Sequence, residues 1–145
     1  MSWLPRQCVV VPVDFSDRAF EALDLACELV DDLSKLHVVH VLAEIDPNEA
    51  GSIFHPVAYE TRRQHALRLL SERMADTKYS QVQIHVEFGD PGAKIAELIQ
   101  ALQADLVVIP SHCRTGLMRL LIGSVAEKVV RLATCPVLVL RKEQP

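Results

Sequence analysis

Gln7-Cys8-Val9-Val10-Val11-Pro12-Val13, followed at once by Asp14-Phe15-Ser16-Asp17, is the stretch that decides the fold. The first seven residues are nearly all apolar and rich in valine. Such a run suits a strand covered on both faces, the situation of a parallel sheet. The pattern then changes. Ser16 is expected to cap a helix, with Asp17 in its first turn facing the positive end of the dipole. Ala19, Ala22, Leu23, Ala26, Val30 and Leu33 follow at helical spacing, which predicts a helix from Asp17 to Asp32 with one buried face.

The same alternation continues along the chain. Leu36 to Leu42 (LHVVHVL) reads as a second strand, Ala43 to about Pro56 as a loop, and about Val57 to Ala75 as a longer helix. Leu67, Leu70 and Met74 form that helix's apolar stripe, and Arg62, Arg63, Arg68 and Arg73 fall at its solvated positions. Val82, Ile84, Val86 and Phe88 alternate with polar residues, the period of a strand at a sheet edge. Gly89-Asp90-Pro91 opens a third helix, with Asp90 as cap and Pro91 at its first position. Leu106 to Ile109 is a fourth strand and Pro110 to Gly123 a loop. Ser124-Val125-Ala126-Glu127 reads as a capping box for a helix to Leu132, and Pro136 to Leu140 as the last strand. Strands alternating with helices predict a three-layer α/β/α fold around a parallel sheet, with right-handed crossovers.

Composition sets the outer limits. The 145 residues suit a single domain over 1–145, and half of them are apolar, enough to fill a core. A net charge of −4 gives no broad basic face, so no nucleic-acid partner is expected. Met1 to Pro5 shows no basic segment leading into a long apolar run, and no stretch reaches membrane-spanning length. Neither a signal peptide nor a membrane partner is expected. Cys8, Cys27, Cys113 and Cys135 are scattered without a CxxC pair, against zinc or a redox dithiol. Cys8 and Cys27 read as buried thiols, and this usage fits a reducing, cytoplasmic location.

In an open α/β sheet the ligand crevice lies beyond the carboxyl ends of the strands, where the strand order reverses. The first strand ends in Pro12-Val13-Asp14 and the fourth in Ile109-Pro110-Ser111-His112, so these ends are the candidates. Gly123-Ser124 at a helix start is an anion site in principle, because the first amides of a helix lack internal partners. Arg114 and Arg119 add positive charge to the same loop. The alternative is that Ser124 only caps the helix while the arginines stay in solvent, and the residues alone do not separate the two. Asp14 has a ribose hydroxyl as one use and a turn or cap as the other. His112 and Cys113 are sequence neighbours, a poor arrangement for a nucleophile and its base. His37, His40 and His85 read as packing or edge residues, and His55 and His65 as exposed. No Walker A loop and no GxSxG elbow occurs, and no protein-ligated metal is expected.

These residues carry a resemblance over essentially the whole chain. Val11-Pro12-Val13-Asp14-Phe15-Ser16, Leu36 to Val41, Gly89-Asp90-Pro91, Ser111 to Leu117, Leu120 to Val129 and Cys135 to Val139 are similar to the motifs of the universal stress protein family. The resemblance implies a five-stranded parallel sheet in the order 3-2-1-4-5, Rossmann-like and of the adenine nucleotide α-hydrolase kind. It also implies a homodimer through the C-terminal strand, Val137 to Leu140.

Nucleotide-binding members carry Gly, two residues, Gly, nine residues, then Gly and Ser or Thr. Here Pro110 and Cys113 stand at the first two glycine positions, while Gly123-Ser124 closes the motif. Pro12, Val13 and Asp14 match the adenosine-contacting turn and Val41 the adenine-contacting position. The resemblance thus implies a nucleotide site of Pro12, Val13, Asp14, Val41, Pro110, Ser111, Cys113, Arg114, Gly123, Ser124 and Val125, taking ATP, ADP or AMP with or without Mg. The expected role is a regulatory module in stress response acting on a protein partner that the sequence does not name. The alternative is a dimeric stress or interaction protein that has lost the ligand, because Pro110 has no N–H and Cys113 adds a side chain at the approach wall. Enzymatic activity would amount at most to slow ATP hydrolysis.

Overall fold

The computed structural model describes residues 2–46, 48, 55–111 and 123–141. β1 (Val9–Pro12), α1 (Asp17–Cys27), β2 (Leu36–Leu42), α2 (His55–Arg73), β3 (Gln83–Phe88), α3 (Pro91–Leu102), β4 (Leu106–Pro110), α4 (Ser124–Leu132) and β5 (Val137–Leu140) follow in order. The five strands are all parallel and lie in the order β3-β2-β1-β4-β5. The order expected from the resemblance is therefore observed, with β3 at an edge.

The valine run of β1 is buried along its whole length, and its alternate residues serve two cores. Val9 and Val11 join Leu23, Leu36, Val38, Leu70, Leu106 and Val108 under α1 and α2. Val10 joins Val39, Ile95, Ile99, Val107, Ile109, Ala126 and Val129 under α3 and α4. Each fully buried Val, Leu or Ile contributes about 1.5–3 kcal/mol, and the two-sided demand for apolar residues is why β1 shows no alternation.

Several boundaries differ from the sequence reading. β1 starts at Val9 because the amides of Gln7 and Cys8 are taken by the Asp105 carboxylate, at 2.9 and 3.0 Å. α1 stops at Cys27 rather than Asp32. Val30 instead bridges to Arg6, and the Asp32 side chain accepts from the Ser34 amide to start a short 3-10 turn, Leu33–Lys35. Val30 and Leu33 still pack on the core, so their helical spacing was real burial without helix. Cys8 and Cys27 are half-buried at the core margins rather than fully enclosed.

Arg62 and Arg63 are not simply solvated. Arg62 donates to the Ala43 carbonyl at 2.8 Å and Arg63 to the Val86 carbonyl at 2.7 Å, and both lie over the Phe88 ring. The Val86 carbonyl points away from β2, so Arg63 occupies the outer edge of β3.

The capping box at Ser124 does not form. Gly123 is the N-cap of α4, Ser124 is already helical, and among the described residues no side chain caps the helix. The Gly123 carbonyl accepts from the Glu127 amide at 2.9 Å, which places the box one residue out of register.

Two glycines matter for position. Gly89 turns the chain after β3 with φ of +136°, a backbone conformation that other residues rarely adopt. Gly92, buried in the first turn of α3, lets the Lys128 stem of α4 approach closely; a Cβ there would lie 2.7–2.8 Å from three Lys128 carbons. The Lys128 ammonium then reaches the Asp90 carboxylate at 2.7 Å. Asp90 also caps α3 through the Ala93 amide. The starts of α3 and α4 are thereby tied together at the carboxyl end of the sheet.

Candidate functional site

The strand order reverses between β1 and β4: from β1 the chain first builds outward through β2 and β3, then crosses back to β4 and β5. The crevice expected at that point lies between Pro12-Val13-Asp14 and Pro110-Ser111.

On the β1 side, Pro12 and Val13 are buried, and the Val13 amide donates to the Val39 carbonyl at 2.8 Å. The Val13 carbonyl meets His40 Nδ1 at 2.8 Å. A carbonyl only accepts, so His40 carries its proton on Nδ1. Phe15 then takes φ of +68°, a left-handed conformation uncommon for a bulky residue, with its ring edge-on to His40 at 4.7 Å. The turn projects Asp14 into solvent. Its Oδ1 accepts from the Ser16 amide at 3.1 Å and the Ser16 hydroxyl at 2.5 Å, while Ser16 Oγ accepts from the Ala19 amide and caps α1. Asp14 thus makes turn contacts and is an exposed residue. Val41 lies near the end of β2, paired with Glu87 and half-buried on the α3 side.

On the β4 side, Pro110 is the last strand residue and is buried, paired with Leu140. Ser111 is 5 % exposed and its amide donates to the Leu140 carbonyl at 2.9 Å. Gly123 is half-buried, while Ser124 and Val125 are exposed. The first amides of α4 have no intrahelical partner, and among the described residues no side chain caps them. They carry the positive end of the dipole at the carboxyl end of the sheet, an arrangement that suits an anion. Cys113 and Arg114, with His112 and Arg119, lie outside the described residues. The structure thus brings together Pro12, Val13, Asp14, Pro110 and Ser111 at neighbouring strand ends.

Two residues at this end were missed in the sequence. His40 fixes the Val13 turn, and its only signal was a histidine inside an apolar strand. Arg18 reaches from the first turn of α1 to the Ser111 and Leu140 carbonyls, and nothing in its local pattern announces that.

His37, His85 and the thiols of Cys8, Cys27 and Cys135 belong to the packing of the fold. His37 Nδ1 and His85 Nε2 meet at 2.9 Å across β2 and β3, rings stacked. Burial pushes both below the ordinary histidine value; His37 is lowered further by its neighbour His85, while Glu87 partly opposes the shift in His85. Burial raises the thiols of Cys8, Cys27 and Cys135 above theirs, which lowers their thiolate fraction. Among the described residues, no group of three or more His, Cys, Asp or Glu could hold a metal ion, and no helix is long and apolar enough to cross a membrane.

Comparison with known proteins places this geometry among relatives. The model of the Universal stress protein family matches residues 5–141. Universal stress protein MJ0531 of Methanocaldococcus jannaschii is 35% identical over 141 residues, covering 92% of this chain and 81% of the relative. Among solved structures, the hypothetical protein MJ0577 superposes with a TM-score of 0.74 at 21% identity, over 98% of this chain and 100% of the other. A universal stress protein in complex with cAMP superposes with a TM-score of 0.65 at 24% identity, over 96% and 99%. At these identities the two structures speak for the fold.

Proposed function

This chain belongs to the universal stress protein family, and from that premise we propose that it is a dimeric adenine-nucleotide-binding regulatory module of the stress response. The observation that carries the reading is the start of α4: Gly123 as N-cap, no side-chain cap among the described residues, and the helix anchored at the carboxyl end of the sheet by Lys128 and Asp90. An adenine nucleotide places its phosphates on the amides of Gly123, Ser124 and Val125. Its ribose lies toward Asp14 and its base between Val13 and Val41, with Pro12, Pro110 and Ser111 as the floor. Cys113 and Arg114 complete the proposed contact set. That a protein of this fold is described in complex with cAMP supports a nucleotide as the class of ligand. ATP or AMP, with or without Mg, fits the proposed arrangement.

The dimer reading rests on the two sheet edges. Arg63 covers the outer edge of β3. On β5, the Pro136 and Leu140 carbonyls face β4, so the amides and carbonyls of Val137 and Val139 face outward. Among the described residues nothing pairs with that edge, and Val130, Leu132 and Leu138 beside it are 46%, 46% and 37% exposed. A second copy pairing through Val137–Leu140 covers both the edge and the apolar side chains. We take residues 1–145 as one domain working in the cytoplasm.

A second reading keeps the dimer and drops the ligand. Pro110 favours it, because the residue ending β4 offers no N–H to a sugar or phosphate. Isothermal titration of nucleotide-stripped protein with Mg-ATP separates the two. Heat with saturation supports the nucleotide module. No heat at millimolar ligand, with no adenine nucleotide in the mass spectrum of the denatured protein, establishes the second reading.

A further inference from the structure

Arg18 starts in the first turn of α1 and ends on the opposite side of the switch point. Its Nη1 donates to the Ser111 carbonyl and its Nη2 to the Leu140 carbonyl at 2.8 Å. The Leu140 carbonyl also accepts from the Ser111 amide at 2.9 Å. One guanidinium therefore joins three places: the helix that follows the Asp14 turn, the residue that follows β4, and the last residue of the open edge strand β5. Arg18 is half-buried, and among the described residues it forms no ion pair with a carboxylate. Among the described residues its charge is answered by two carbonyl oxygens.

A planar fork can meet two carbonyls at once, whereas an ammonium is a point donor, so the geometry is particular to arginine. An anion entering the crevice adds negative potential near Ser111, where this cation is bound. In a partly desolvated site that potential acts over several ångströms. It favours the state in which the guanidinium stays seated on the strand ends, and a seated guanidinium holds Leu140 in register on β5.

We propose that Arg18 is a positioning residue that couples occupancy of the crevice by a phosphate-bearing nucleotide to pairing at the β5 edge. The coupling rests on the nucleotide and dimer readings above. By linkage, whatever factor the nucleotide adds to dimer affinity the dimer adds to nucleotide affinity. Neutral adenosine, which fills the base and ribose positions without phosphate charge, does not engage the coupling.

The test compares wild type, Arg18→Gln and Arg18→Lys by three measurements: titration with Mg-ATP and with adenosine, the dimer dissociation constant by sedimentation with and without each ligand, and amide exchange at Ser111 without ligand. In wild type, ATP tightens the dimer by about fivefold or more, the lower range of ordinary couplings, and adenosine does not. Arg18→Gln still binds ATP but loses the tightening and exchanges faster at Ser111. Arg18→Lys, with the charge kept and one bond lost, falls between and covers the case in which Arg18→Gln does not fold. Tightening that persists in Arg18→Gln, equal tightening by adenosine, or unchanged Ser111 exchange overturns the coupling. Wild type that binds neither ligand overturns the nucleotide reading and the coupling with it. That failure is told apart from a failed clamp by the Ser111 exchange, which needs no ligand.

Discussion

Gly92→Ala is a one-carbon change at the place where α3 and α4 meet. The added Cβ lies 2.7 Å from Lys128 Cδ and 2.8 Å from its Cβ and Cγ, where ordinary contact begins at 3.4 Å. The outer stem carbons can swing aside, but that pulls the ammonium off Asp90. Lys128 Cβ is fixed to the α4 backbone, so relief there requires α4 to move by about 0.6 Å. Overpacking of this kind costs about 1–3 kcal/mol. The helix-propensity gain of alanine over glycine, up to about 1 kcal/mol, offsets part of it. The net expectation is a loss of about 1–2 kcal/mol, or a fall in Tm of about 2–8 °C for a chain of this size. Thermal and urea unfolding measure it. Because the same shift carries Gly123 to Val125 away from the crevice, Mg-ATP affinity should fall as well. Adding Lys128→Ala removes Cγ and Cδ but keeps Cβ, so stability should recover in part. A Gly92→Ala protein as stable as wild type, or full recovery in the double variant, refutes the account of how α4 is held.

Gly123→Val, which fills the space over the first amides of α4, should weaken Mg-ATP binding by about tenfold or more, and by more than Cys113→Gly does; titration compares them, and equal affinity of wild type and Gly123→Val contradicts the phosphate position. The His37–His85 pair predicts a pH dependence. Both pKa values are lowered below the ordinary 6.5, so the unfolded chain binds protons more readily, and stability is lost as pH falls from about 6.5 through the lowered folded values. Urea midpoints at about pH 7.5 and about pH 5.5 should differ in wild type and converge in a His37→Leu, His85→Leu variant; an undiminished difference removes the pair as its source. Leu138→Lys places a charge on the exposed edge strand and should turn the dimer into a monomer by sedimentation while leaving the circular dichroism spectrum unchanged. A dimer of undiminished affinity contradicts pairing through β5.

Much of the fold was legible because burial on two faces imposes its own pattern. The valines of β1 and β2 show no alternation since both sides are covered, and the alternation in β3 marks the edge. What failed was the assignment of burial to a particular element. Val30 and Leu33 are packed at helical spacing, but a bridge to Arg6 and the Asp32 turn take them out of α1. Ser124 has the residue types of a capping box, yet the helix starts one residue earlier: the Gly123 carbonyl accepts the first intrahelical bond, from the Glu127 amide, so Ser124 is already helical. In the candidate site, Pro12 to Asp14 and Pro110–Ser111 could be placed because they end strands. Arg18 and His40 could not, since each acts on a backbone carbonyl that only the tertiary structure brings near: Ser111 lies 93 residues from Arg18, and Val13 lies 27 from His40.

Backbone amide shifts resolved by residue, recorded with Mg-ATP and with adenosine, bear on the phosphate position most directly. Both ligands should move Val13, Asp14 and Val41, and ATP alone should move Gly123, Ser124 and Val125 strongly. Equal shifts of those three amides with the two ligands, or none with either at saturating concentration, would contradict the placement of phosphates on the start of α4.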